Sequence, residues 1–83
     1  MTAEPIVTLY TRAGCCLCEE ARRVLDSARR RARFRLEVVD IDREPRWRAL
    51  YNDEVPVVAI DGRKAFKYHL SVEEFLRRLA ART

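Results

Sequence analysis

Gly14-Cys15-Cys16-Leu17-Cys18 holds every cysteine of the 83-residue chain within four positions, where a β-like run gives way to a helical one. Upstream, Ile6-Val7-Thr8-Leu9-Tyr10 is β-branched and aromatic after Pro5 and reads as a buried strand, with Thr11 to Gly14 as its exit loop. Downstream, Leu17, Ala21, Val24, Leu25 and Ala28 form a single apolar stripe opposite Glu19, Glu20, Arg22, Arg23 and Asp26. That pattern is a helix lying on a sheet. Residues three apart on a helix face the same way, with Cβ atoms about 5–6 Å apart, and bridged cysteines have Cα atoms roughly 4.4–6.8 Å apart. Cys15 and Cys18 are therefore the pair that can close reversibly. Cys16 and Cys18 point to different sides of the helix, and a ring between Cys15 and Cys16 strains the peptide joining them.

The two sulfurs are not equivalent. The thiolate is the nucleophile in thiol chemistry, and helix N-termini favour it through their free N–H groups and partial positive charge. Cys15 stands at that first turn and Cys18 one turn inside. Arg12, three residues before Cys15, adds a cation able to approach the developing thiolate. The expectation is that Cys15 attacks and Cys18 resolves.

Leu36-Glu37-Val38-Val39-Asp40-Ile41 reads as a second strand, parallel to the first because a helix separates them. Asp42 is expected to cap a short second helix, with Pro45 in its first turn and Trp47, Leu50 and Tyr51 as its buried stripe. Val55-Pro56 enters a third strand, where a proline, which cannot donate a ladder hydrogen bond, belongs at the start or an edge. Val57 to Ile60, Asp61-Gly62 and Arg63 to Tyr68 predict a hairpin with a type I′ turn. Ser71 opens the last helix, Glu74 completes a capping box, and Val72, Phe75, Leu76 and Leu79 form the inner face. The order is βαβαββα, one α/β domain over residues 1–83.

Apolar residues make up 48% of the chain and are periodic, which argues against disorder. Met1-Thr2-Ala3-Glu4-Pro5 carries no basic and apolar leader pattern, and no apolar run reaches membrane-spanning length. A cytoplasmic protein without membrane contact is expected. Three clustered cysteines do not suit a stapled secreted framework, in which bridges tie distant segments. The formal charge of +4 centres on Arg29, Arg30, Arg31, Arg33 and Arg35. These read as solvated arginines finishing a helix, because only Phe34 interleaves them and no nucleic-acid motif accompanies them.

Leu9 to Cys18, followed by Glu54-Val55-Pro56-Val57 and then Ile60-Asp61-Gly62, resembles the small glutaredoxin-like proteins of the thioredoxin-fold superfamily, from Ile6 to Leu79. The resemblance implies a thiol-disulfide oxidoreductase on a four-stranded mixed sheet flanked by helices, with Cys15 and Cys18 catalytic. It implies that Pro56 is cis and lies against the cysteine pair, and that the backbone of Val55 pairs with an extended substrate segment by strand addition. Arg12, Val55 and Pro56 are thus the expected substrate contacts. The implied partners are a protein or glutathione disulfide and a thiol reductant system. No tightly bound cofactor is expected, glutathione serving as a co-substrate, and the chain is expected to act as a monomer. Two departures stand out. Cys16-Leu17 replaces the Pro-Tyr common between glutaredoxin cysteines, and where glutathione-binding members carry Gly-Gly before the last helix, with an acidic residue soon after, this chain has Phe66-Lys67 and then Tyr68-His69-Leu70, which predicts weak or no glutathione binding.

Two rival readings exist. Closely spaced thiols suit Cu(I), zinc or an iron–sulfur cluster shared between chains, but a closed zinc site needs four ligands and the only histidine is the distant His69. An interaction module that keeps only the fold would not need the intact cysteine pair. Cys16 reads as a small, partly buried helix residue, His69 as a loop residue, and Trp47 and Tyr51 as core.

Overall fold

The computed structural model describes residues 4–81; Met1 to Ala3, part of the stretch read for a leader, lie outside them. The elements run β1 (Ile6–Thr11), α1 (Cys16–Ala28), β2 (Arg35–Asp40), a 3₁₀ turn (Ile41–Arg43), α2 (Pro45–Tyr51), β3 (Val57–Ile60), β4 (Arg63–Lys67) and α3 (Val72–Ala81). They form the expected α/β thioredoxin-like arrangement. The sheet order is β2-β1-β3-β4, with β1 parallel to β2 and antiparallel to β3, which is antiparallel to β4.

Alternation along β1 sorts its side chains between two faces. Val7 and Leu9 point into the main core with Ala21, Leu25 and Ala28 of α1, Phe75 and Leu79 of α3, and Phe34, Val58 and Ile60. Phe75 is fully buried and packs edge-on against Phe34 at 5.3 Å between ring centroids. Tyr10 faces the other side, where it meets Trp47 at 5.0 Å and Tyr51 at 4.8 Å.

The hairpin turn has the backbone its sequence predicts: Asp61 lies at φ 50° and Gly62 at φ 84°, both positive as a type I′ turn requires. β4 ends at Lys67 rather than Tyr68, which sits at φ 68°. Val58 pairs with Phe66 and Ala59 with Lys64, so Ala65 is the extra residue of a β-bulge. At α3, the Glu74 amide donates to Ser71 Oγ at 3.2 Å, and the Ser71 hydroxyl donates to Glu74 Oε1 at 3.2 Å. The carboxylate thus accepts from the hydroxyl of the cap.

The second helix differs most from its reading. Asp40, not Asp42, caps the 3₁₀ turn by accepting the Asp42 amide at 3.0 Å. α2 begins at Pro45 without a side-chain cap and has no buried residue; Leu50 is 57% exposed. Trp47 and Tyr51 are half-buried and pack on Tyr10 instead of entering a core. A helix of seven residues offers too little length to cover the sheet and keep its whole apolar stripe dry. The arginines are exposed as read, but α1 ends at Ala28, so they follow the helix instead of finishing it and Arg35 already opens β2; Arg31 pairs with Glu73 at 2.9 Å and Arg35 with Glu37 at 3.4 Å.

Candidate active site

Parallel β1 and β2 end side by side, and antiparallel β3 begins at the same edge of the sheet. β1 hands over to the loop carrying the cysteines, with Gly14 in the left-handed region at φ 76°. Tyr10 pairs with Val57, so the next step of the register sets Pro56 beside Thr11, close in sequence to Cys15. The Val55–Pro56 bond is cis, and Pro56 is buried. The Pro56 carbonyl accepts the Tyr68 amide at 2.8 Å. The main-chain N–H and C=O of Val55 have no hydrogen-bond partner among the described residues.

Cys15 is the N-cap of α1, one residue earlier than a first-turn position, and helical geometry starts at Cys16. Its Sγ accepts the main-chain N–H of Cys18 at 3.2 Å, the bond a capping oxygen would normally accept. All three cysteines are unbridged: Cys15 is partly buried, Cys16 exposed and Cys18 buried at 3% exposure. Cys16 is therefore not the partly buried helix residue the sequence suggested, because its position at the first helical residue points it off the packed stripe. Burial pushes the Cys18 thiol up from its ordinary value; the neighbouring Cys15 sulfur adds to this, while the nearby Thr11 side chain and Arg12 main chain oppose it.

The Arg12 guanidinium lies elsewhere than expected. Nε and Nη2 clasp the Asp42 carboxylate at 3.1 and 2.7 Å, Nη1 donates to the Asn52 carbonyl at 3.1 Å, and Nη2 donates to Asn52 Oδ1 at 3.1 Å. The hydrogen bond from Arg12 holds Asp42 below the usual carboxylate range. Arg48 adds a bond to the Asp42 carbonyl at 2.9 Å. Sequence reasoning missed Asp42, Asn52 and Thr11 as members of this neighbourhood. The parallel register was the available signal: Thr11 pairs with Asp40, so the residues just beyond each strand emerge together.

Leu17, Ala21 and Val24 of α1 face Tyr68 and Leu70 across a cleft of about 280 Å³, with Glu20, Arg23 and His69 at its rim. Tyr68 and Leu70, which follow the Phe66-Lys67 pair, are thus the far wall of a cleft that reaches Leu17, between the two cysteines, while Phe66 and Lys67 do not line it. Among the described residues, no three His, Cys, Asp or Glu side chains converge on a point where a metal ion would sit. Nor is any helix among them long and apolar enough to cross a membrane.

Comparison with known proteins agrees with this fold. The family model for the Glutaredoxin-like domain (DUF836) matches residues 6–80. An uncharacterized protein of Mycobacterium tuberculosis, Rv0508, is 34% identical over 67 residues, covering 75% of this chain and 69% of that protein. Protein Ne2328 of Nitrosomonas europaea superposes with a TM-score of 0.81 at 31% identity, covering 95% of each chain. Protein XcR50 of X. campestris superposes with a TM-score of 0.78 at 29% identity, covering 93% of this chain and 99% of that one. Thioredoxin-2 of the malaria parasite, at 16% identity and a TM-score of 0.76 over 99% of this chain and 86% of its own, shares the fold.

Proposed function

This chain belongs to the glutaredoxin-like domain (DUF836) family, and we propose that it is a thiol-disulfide oxidoreductase working through Cys15 and Cys18. One observation carries the reading: two unbridged cysteines one helical turn apart, the outer at the mouth of α1 and the inner buried, with the inner amide donating to the outer sulfur. In the first step the Cys15 thiolate attacks one sulfur of a substrate disulfide, forming a mixed disulfide and expelling the other substrate sulfur as a thiolate, which takes up a proton. Cys18 then gives up its proton and attacks the Cys15 sulfur, closing the Cys15–Cys18 bridge and releasing the second substrate thiol. The substrate gains two electrons and the protein loses two. A cellular dithiol or monothiol reductant, in the cytoplasm, returns them.

The substrate proposed is a protein disulfide. The unpaired main chain of Val55 supports strand addition by an extended segment beside Pro56. The aromatic and aliphatic wall of Tyr68 and Leu70 supports apolar side chains over the charged ends of glutathione. Glutathione is accordingly a poorer co-substrate.

Reduction of a protein disulfide and of a glutathione mixed disulfide, measured for the parent and for Cys15→Ser, Cys16→Ser and Cys18→Ser, tests the reading. The expected pattern is loss of both activities without Cys15, near-parent activity without Cys16, and loss of the dithiol reaction without Cys18. Parent-like activity of Cys15→Ser overturns it.

A further inference from the structure

Tyr68 is a bulky residue in a backbone conformation that glycine normally supplies. It lies at φ 68°, and the His69 amide donates to the Lys67 carbonyl at 2.8 Å, so Tyr68 is the central residue of a γ-turn of the rare positive-φ kind. That conformation is strained for a residue with a Cβ and persists where the surroundings over-determine it. Two contacts do so here. The Tyr68 hydroxyl donates to the Asp53 carbonyl at 3.0 Å, 15 residues back, and the Tyr68 amide donates to the Pro56 carbonyl at 2.8 Å. Glycine would fit the turn and keep the second contact, but it has no hydroxyl to make the first. The hydroxyl is what tyrosine adds at a position that glycine would occupy without strain.

The two bonds bracket the segment that enters β3 at the cysteine edge of the sheet. Inside it, the Glu54 amide donates to the Tyr51 carbonyl at 2.9 Å, and Lys64 Nζ of β4 donates to Glu54 Oε1 at 2.8 Å. Val55 lies between these held positions with its own main chain unpaired among the described residues. We propose that Tyr68 is a positioning residue for the substrate: by holding the Asp53 and Pro56 carbonyls it keeps the Val55 main chain in register for an added strand, and so favours disulfides carried on an extended peptide over disulfides without one. The proposal rests on the exchange reading above and deepens it by naming what sets the substrate class. Among the described residues Tyr68 makes no hydrogen bond to Cys15, Cys16 or Cys18, so attack on a small disulfide does not need it.

Single-turnover reaction of the pre-reduced full chain with excess disulfide tests this, because it gives a half-saturating concentration and a limiting rate without an added reductant. Three probes are compared: an aromatic disulfide with no peptide groups, a disulfide-linked peptide with an extended arm, and the same peptide with the amides of that arm N-methylated, which removes the donors a strand needs. The parent is expected to prefer the free-amide peptide. Tyr68→Phe keeps the ring and loses only the hydroxyl; it is expected to raise the half-saturating concentration for the free-amide peptide about threefold to tenfold, the range for one hydrogen bond, with the limiting rate and the aromatic disulfide within about twofold of the parent. Tyr68→Gly, which relieves the turn, is expected to show the same rise.

If Tyr68→Phe or Tyr68→Gly binds the free-amide peptide as the parent does, or if Tyr68→Phe weakens reaction with all three probes equally, the positioning role is overturned. A parent that does not distinguish the two peptides overturns strand addition at Val55, and a parent that reacts with none of the probes overturns the exchange reading itself. Both are different results from a parent that prefers the free-amide peptide beside an unaltered Tyr68→Phe.

Discussion

Cys18 has to lose its proton in a place that resists the loss, and this fixes how the chemistry responds to pH. Burial raises its thiol above the ordinary value of 9.0. With a pKa above that value, the thiolate fraction near pH 7 is below about one in a hundred, and it grows about tenfold per pH unit until the pKa is reached. Resolution measured in the Cys16→Ser chain from about pH 6 to about pH 9 should therefore climb with a slope near one on a logarithmic scale. The same shift has a stability side with a defined sign. A folded-state pKa above the unfolded one means the folded chain keeps its proton longer. The associated stability is fully present below the unfolded value of 9.0 and is lost as pH rises through the higher folded value, at no more than about 1.4 kcal/mol per pH unit. Urea unfolding of the reduced chain should show this loss, and Cys18→Ala should not. A resolution rate that is flat across the range, or a Cys18→Ala chain that weakens with pH as steeply as the parent, would refute the reasoning.

Two further outcomes follow from the scaffold. Phe75→Ala empties a fully buried site against Phe34 and Phe66 and should cost about 3–5 kcal/mol in urea unfolding. An 83-residue domain has only about 4–12 kcal/mol in total, so this variant should be largely unfolded under conditions the parent survives. Gly62→Ala meets no atom within 4 Å but sits at φ 84°, so its cost should be backbone strain alone, about 1 kcal/mol. A loss several times larger would mean that more than local backbone strain is lost at this turn.

The parts of the fold that sequence made legible are those decided by short-range rules. The run Ile6 to Tyr10, the stripe from Leu17 to Ala28 and the Asp61-Gly62 turn each state their structure within a few residues. The nearness of Cys15 and Cys18 also belongs here, since three-residue spacing at a helix start is local geometry. What was not legible depended on an object the local pattern does not contain. Trp47, Leu50 and Tyr51 share one side of a helix, but that spacing does not say whether a core or a single tyrosine waits opposite; Tyr10 did, and Leu50 was left in water. Asp42 looked like a cap because it precedes a proline-led helix, yet a guanidinium from 30 residues away engages it, α2 is left without a side-chain cap, and Asp40 caps the 3₁₀ turn before it.

That competition also explains why one edge of the sheet collects the site. β1 and β2 run parallel, so Arg12 and Asp42 leave their strands in the same direction and emerge beside each other, and β3 runs back so that Val55 and Pro56 begin where those strands end. A side chain reaching from the β1 exit can therefore meet both the β2 exit and Asn52, the residue just after α2, without crossing the core. Cation and carboxylate satisfy each other at this edge, so Arg12 is not available as a bare charge next to Cys15. What the helix mouth offers that sulfur instead is a main-chain N–H from Cys18, one turn deeper, which links the reactive atom directly to the residue that must later displace it.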